Sequence, residues 1–184
     1  MGSEARKIVI DALKGSKKRV AASGSNTDPD GRRPVVLIGQ DNVFETPIVY
    51  VYGPIDLYLE IRKRLYSQDN ENLVDAKGYC SFGTMKAGDD SLVVGIVWAN
   101  WKYGLQDAMP TFVHELSHAV DDIIEHAGVT DKSGESKAYF IESEFSFLLK
   151  RLYNMKMRKA RTDLVKEALN GLIETDNKDC ANRT

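Results

Sequence analysis

Several things are scarce in this 184-residue chain, and each scarcity removes a class of protein. Cysteine occurs twice, at Cys80 and Cys180, far apart and with the second in a polar tail, so a disulfide framework is not expected. The net charge is only -2 at pH 7, which makes no whole-chain case for attraction to nucleic acid or to an anionic membrane. No segment approaches the roughly 20 consecutive apolar residues of a membrane helix. The N-terminus MGSEARKIVIDALKG has its short apolar part broken by Asp11 and lacks the core of a signal peptide. The expected compartment is therefore a cytoplasm, or a particle assembled in one. Histidine occurs only three times, which makes its placement informative.

The hydrophobic share is ordinary for a globular protein, and the length suits one domain able to bury most of its apolar surface. Residues 4–13 can form a short amphipathic helix. KGSKKRVAASGSNTDPDGRRP then runs through small, polar and breaker residues, as a flexible arm would. The expected layout is an N-terminal helix and arm over 1–33, one domain over 34–175 and a polar tail over 176–184. Within the domain, PVVLIG and TPIVYVYG are strand candidates, and Gly53-Pro54 opens the helical segment IDLYLEIRKRLY, whose apolar residues do not keep a clean stripe. Tyr79 to Met85 and SLVVGIVWAN (91–100) compose a hairpin around AGDD.

The strongest helix runs from Asp107 to Ala127. Asp107 is the expected N-cap, Pro110 is expected in the tolerant first turn, and Gly128 stands past the end. Phe112, Val113, Leu116, Ala119, Val120, Ile123 and Ile124 recur at helical spacing and predict a core-facing side. A short loop leads to a second long helix over about 134–159, and a last one is expected over 162–173. Lysine and arginine clusters near 14–19 and 150–161 are expected to be solvated faces, because no interleaved aromatics form a stacking platform for nucleic acid.

HELSHAVDD carries the chemistry. His114 and His118 are four residues apart on a helix, so their rings stand one turn apart on one face, and two such imidazoles can share a zinc ion. Glu115 points about 100° around the helix, where it can reach a water at the metal without ligating it. An HExxH pattern arises by chance on the order of once in several hundred shuffled chains of this composition. The alternative is a pair of satisfied helix histidines packed on a sheet. His126, in the last turn, reads as structural and is favoured there by the helix dipole.

A catalytic zinc site usually takes three protein ligands and an open position. No third histidine follows at a usable spacing. Glu135, in the first turn of the next helix, is the leading candidate, since a helical hairpin would return that turn to the metal, and Glu142 is the second.

HELSHAVDD resembles the active helix of the gluzincins, including the thermolysin-like peptidases, and GESKAY (134–139) is similar to their glutamate helix. The combination of hairpin, HExxHAVD and GExxAY most resembles short HExxH proteins of tailed phages and prophages. The resemblance covers mainly residues 91–150. It implies an α+β fold, a minimal zincin-like domain with a small, partly antiparallel sheet packed on the HExxH helix and a following glutamate helix. Tyr139 stands where the thermolysin-like enzymes carry an aspartate, so the surroundings of the metal are expected to differ. Asp122 matches an aspartate of those enzymes and can accept a ligand's ring N–H, or it can be one half of a solvated acidic face with Asp121.

The activity implied is zinc-dependent hydrolysis of a peptide or protein substrate, with Glu115 as general base and Tyr139 or Tyr103 among the possible oxyanion donors. SLVVGIVWAN, placed before the active helix, resembles the zincin edge strand along which a substrate pairs, or it is an ordinary core strand. The competing class is a non-catalytic zinc protein that serves as a structural or assembly component of a phage particle.

Overall fold

The computed structural model describes residues 2–14, 27–29, 31–40, 44–67, 73, 75–130 and 134–152. The chain divides into two compact units, Met1–Phe145 and Ser146–Thr184. Of the second, only 146–152 are described, and they are helical. The helix expected over 162–173, and most of the arm before residue 34, lie outside the described residues.

In chain order the first unit holds α1 (Gly2–Ala12), β1 (Val35–Gln40), β2 (Pro47–Gly53), α2 (Ile55–Tyr66), β3 (Gly78–Ala87), β4 (Asp90–Asn100), a 3-10 turn at Trp101–Tyr103 and α3 (Gly104–His126). It also contains the start of α4, a helix over 135–152. The architecture is α+β, as expected: a four-stranded mixed sheet with helices on both faces.

The sheet order is β1-β2-β4-β3. β1 and β2 are antiparallel, β2 and β4 parallel, and β4 and β3 an antiparallel hairpin. β4 is thus paired on both sides, and the strand left at the edge beside α3 is β3. Of the two roles open to 91–100, edge strand and core strand, the structure shows the second. Pairing with β2 over 95–100 as well as with β3 is also why Val94 to Ala99 read as a near-continuous apolar run and are all buried.

Alternation along the strands separates two layers. Val49 and Val51 of β2, Val94, Ile96 and Trp98 of β4, and Met85 of β3 face α2 and α1, where they meet Leu57, Tyr58, Ile61, Leu65 and Val9. Tyr58 stacks on Trp98, with centroids 5.3 Å apart. The buried stripe of α2 is therefore Leu57, Tyr58, Ile61, Arg62 and Leu65, a regular helical spacing hidden in the sequence because its members include a tyrosine and an arginine.

The intervening residues face the other side, where α3 packs on β3 and β4. Tyr50 and Tyr52 of β2 point the same way. Tyr50 donates to Glu144 of α4 at 2.6 Å, and Tyr52 donates to Asp28 at 2.6 Å, which also accepts from the backbone and guanidinium of Arg32. Phe140 of α4 meets Phe44 edge-on at 5.9 Å. α3 and the start of α4 therefore share the sheet face opposite α1 and α2.

α3 begins at Gly104, earlier than expected. Tyr103 occupies the N-cap without a side-chain cap hydrogen bond, and Asp107 lies within the first turn, so Asp107 is not the N-cap. The cap-forming asparagine stands further upstream: Asn100 accepts from the Lys102 amide at 3.0 Å and closes the 3-10 turn that feeds the helix. Pro110 consequently sits inside the helix rather than at its start, and its missing N–H leaves the Gln106 carbonyl without an intrahelical donor. At the other end Gly128 has a positive φ of 67°, and its N–H bonds back to the Glu125 carbonyl, the terminating role expected of it.

Candidate metal centre

Six buried residues of α3, Ala108, Phe112, Leu116, Ala119, Val120 and Ile123, define its core-facing stripe. At about 100° per residue, His114 and His118 lie roughly 170° and 130° away from that stripe, on the side turned from the sheet. Both are exposed. Their Nε2 atoms are 3.3 Å apart and their ring planes nearly perpendicular, at 86°.

That separation bears on the metal expected here. Two nitrogens bound tetrahedrally to one zinc at about 2.0–2.1 Å stand roughly 3.3–3.4 Å apart, the edge of the coordination tetrahedron. The separation of the histidine pair therefore matches one edge of a zinc tetrahedron. In the absence of metal the same spacing permits one Nε2–H to donate to the other ring.

Glu115 projects about a quarter-turn from the core stripe, towards β3. Its half-buried carboxylate accepts from the Cys80 amide, and desolvation raises its pKa above the ordinary carboxylate value, against the lowering influence of His114, His118 and that hydrogen bond. The donor is a sheet-edge group. The Asn100 amide bonds to the Lys77 carbonyl at 2.8 Å, so odd-numbered residues of β3 turn their backbone groups towards β4, and even-numbered ones, Cys80 among them, turn theirs outward.

Gly78 makes this approach possible. A Cβ there would overlap the Thr111 methyl and stand 2.7 Å from the Trp98 carbonyl oxygen and 3.2 Å from Glu115 Cγ. Thr111 is one turn before Glu115 on the same side of α3, and beside it opens a cavity of about 380 Å³ lined also by Lys77, Tyr103, Asp107 and Ala108.

Asp122, half-buried, lies on the same side of α3 as Glu115. Burial comes first among the causes that raise its pKa, followed by repulsion from Glu125 and Asp121, with His118 acting in the opposite sense. His118 thus lies within electrostatic reach of Asp122. Tyr139 is 71% exposed on α4. His126 packs edge-on against Phe82 of β3, with centroids 5.8 Å apart, in keeping with a structural role.

The structure brings His114, His118 and Glu115 together, but it does not assemble the three-ligand set. Among the described residues no group of three His, Cys, Asp or Glu side chains is arranged to hold a metal ion. Glu135 and Glu142 are both exposed on α4. The buried direction of that helix is marked by Phe140 and Glu144, and Glu135 and Glu142 lie roughly 160° and 180° from it. They therefore open to the same side of the helical layer as the two histidines. An ion pair from Lys137 to Asp121, at 2.7 Å, holds the first turns of α4 beside the end of α3.

Sequence reasoning missed the Cys80 amide and the Gly78–Thr111 contact. A backbone donor leaves no side-chain signal, but a glycine at the start of a strand does mark a place where another element comes close. No family model matches the chain, and no curated protein or solved structure is similar to it.

Proposed function

We propose that this protein is a zinc-dependent metallopeptidase of the gluzincin type. The observation that carries the reading is the 3.3 Å separation of the His114 and His118 Nε2 atoms, which matches the spacing of two zinc ligands. Glu135 is the proposed third ligand and Glu142 the second choice, both on the open side of α4. A bound zinc ion would supply Lewis acidity, acidifying a water molecule and polarising a carbonyl.

The chain's own residues divide the remaining work. Glu115, held between its ring neighbours and the Cys80 amide, accepts the proton of the attacking water and returns it to the departing amine. Its partial burial favours this role, because a carboxylate whose pKa is raised is a stronger base than one in open water. The outward N–H and C=O groups of β3 offer an extended peptide a strand to pair with, at the edge nearest Glu115. A glutamate beside the first histidine has no purpose in a purely structural zinc site, which favours catalysis over the reading as an assembly component.

The test is to measure zinc bound to the parent and to Glu115→Gln and to assay both on a mixed peptide library. The expected result is equal zinc content, with cleavage by the parent alone. Cleavage by Glu115→Gln at the parent rate would refute the mechanism, and a parent that binds zinc without cleaving would leave the structural reading in its place. A parent that takes up no zinc would refute the site.

A further inference from the structure

Glu144 is a glutamate buried to 3% exposure, on a helix whose other carboxylates face solvent, and the proposed chemistry does not use it. Its Oε2 accepts from the hydroxyl of Tyr50, itself 1% exposed, at 2.6 Å. Leucine at 144 with phenylalanine at 50 would fill similar volume with no carboxylate or hydroxyl to desolvate, so stability alone does not account for this pair.

We propose that Glu144, held by Tyr50, is a positioning residue that fixes the rotation of α4 and so aims the carboxylates this helix offers to the metal. The inference rests on the zinc reading of His114 and His118.

The argument is geometric. On the buried side of α4 in this unit Phe140 lies near the centre, with the half-buried Lys137 beside Glu144 and Ile141 on the flank, and apolar contacts and flexible stems tolerate a range of helix rotations. A hydrogen bond between two buried side chains accepts a narrow range of distance and angle. A slip of one residue turns the helix by about 100° and would carry Glu135 and Glu142 off the side they share with the histidines. Two of the helix's other ties are less exacting. Lys137 to Asp121 joins partly exposed side chains through a long flexible stem, and the Phe44–Phe140 contact is adaptable.

The test compares zinc affinity, by competition with a chromophoric chelator, and thermal unfolding for the parent, Glu144→Leu, Glu144→Gln, Tyr50→Phe and the double variant Glu144→Leu with Tyr50→Phe. Glu144→Leu strands the Tyr50 hydroxyl and is expected to unfold below the parent; with Tyr50→Phe added, stability is expected to return to the parent's or above while zinc is still bound about ten- to a hundredfold more weakly, the range typical for loss of a group that orients a ligand. Tyr50→Phe is expected to weaken zinc binding to a similar degree. Glu144→Gln keeps an acceptor for Tyr50 and is expected to stay within about threefold of the parent.

Parent-like zinc affinity in Tyr50→Phe overturns the proposal, however Glu144→Leu behaves. So does a fall in affinity that simply tracks a fall in stability across all the variants. A parent that binds no zinc fails the metal reading itself, an outcome distinct from either of these.

Discussion

Replacing Gly78 by alanine adds one methyl group at the junction of β3, β4 and Glu115, and the consequences follow from three contacts. The new Cβ would overlap the Thr111 methyl, approach the Trp98 carbonyl oxygen to 2.7 Å and approach Glu115 Cγ to 3.2 Å. Threonine and glutamate side chains can yield, but the Trp98 oxygen is backbone in a doubly paired strand and cannot. Carbon atoms pack at about 3.5–4.0 Å, so the start of β3 must move away from β4 and α3 by on the order of 1 Å. Overpacking of this kind costs about 1–3 kcal/mol, and at 2–4 °C per kcal/mol for a chain of this size the unfolding midpoint should fall by roughly 2–12 °C. The same movement draws the Cys80 amide from the Glu115 carboxylate, so peptide cleavage should fall further than stability does, while zinc affinity stays within about twofold because the histidines do not touch β3. Gly95→Ala is the control: its Cβ would meet nothing closer than Ile48 Cγ1 at 3.8 Å, an ordinary contact, and its midpoint should match the parent. Circular dichroism melts of the three proteins decide the matter. A Gly78→Ala protein as stable and as active as Gly95→Ala would refute the account of how β3 and Glu115 are held together.

Two further outcomes follow from groups away from the metal. Burial, with smaller contributions from Asp122 and Glu115, pushes the Cys80 thiol up to about 12, so its thiolate at pH 8 is about one part in 10⁴ and iodoacetamide should label it far more slowly in the folded than in the unfolded protein; equal labelling rates by peptide mapping would contradict the burial. The unfolded thiol ionises near its ordinary value of about 8.5, so above that pH the folded state holds the extra proton, stability falls as pH rises towards 12, and Cys80→Ala should flatten that alkaline decline in urea titrations. Tyr52→Phe removes the phenolic donor to the buried Asp28 carboxylate and should lower stability by about 1–3 kcal/mol in denaturant melts, with cleavage unchanged once both proteins are folded.

Most of the fold was legible because the strands and α2 alternate or repeat on a local scale. β1, β2 and the β3–β4 hairpin fall where composition and breakers put them, within a residue or two. What stayed hidden was relational. Nothing local distinguishes an edge strand from an interior one in a hairpin, and only the parallel pairing with β2, set by the crossover through α2, makes β4 interior and leaves β3 at the edge. The start of α3 was misjudged for a different reason. Asp107 has the side chain of an N-cap, but Asn100 and the 3-10 turn take over the entry to the helix, and the apolar contacts of α3 hold Pro110 in its interior at the cost of one backbone bond. The histidine pair was legible because four residues on a helix is a local distance. Whether a carboxylate joins that pair was not, because this depends on how a second helix is turned.

α3 divides its surface into a stripe on the sheet, a side against the edge strand β3 and an exposed face, a division that would let one helix serve as both scaffold and, in the proposed function, reagent. Its apolar stripe is committed to the sheet, which holds the backbone under His114 and His118 rigid and keeps their nitrogens 3.3 Å apart before any ion arrives. A quarter-turn away, Glu115 is committed to β3, where a backbone amide steadies it and partial burial raises its basicity. The face bearing the histidines has no comparable internal partner, and exposed histidines one turn apart contribute little to a core. A sequence selected for folding alone has no reason to spend two of its three histidines there, with a partly desolvated carboxylate beside them. The proposed zinc ion, taking two imidazole nitrogens at this spacing, would give that face an occupant and Glu115 a task.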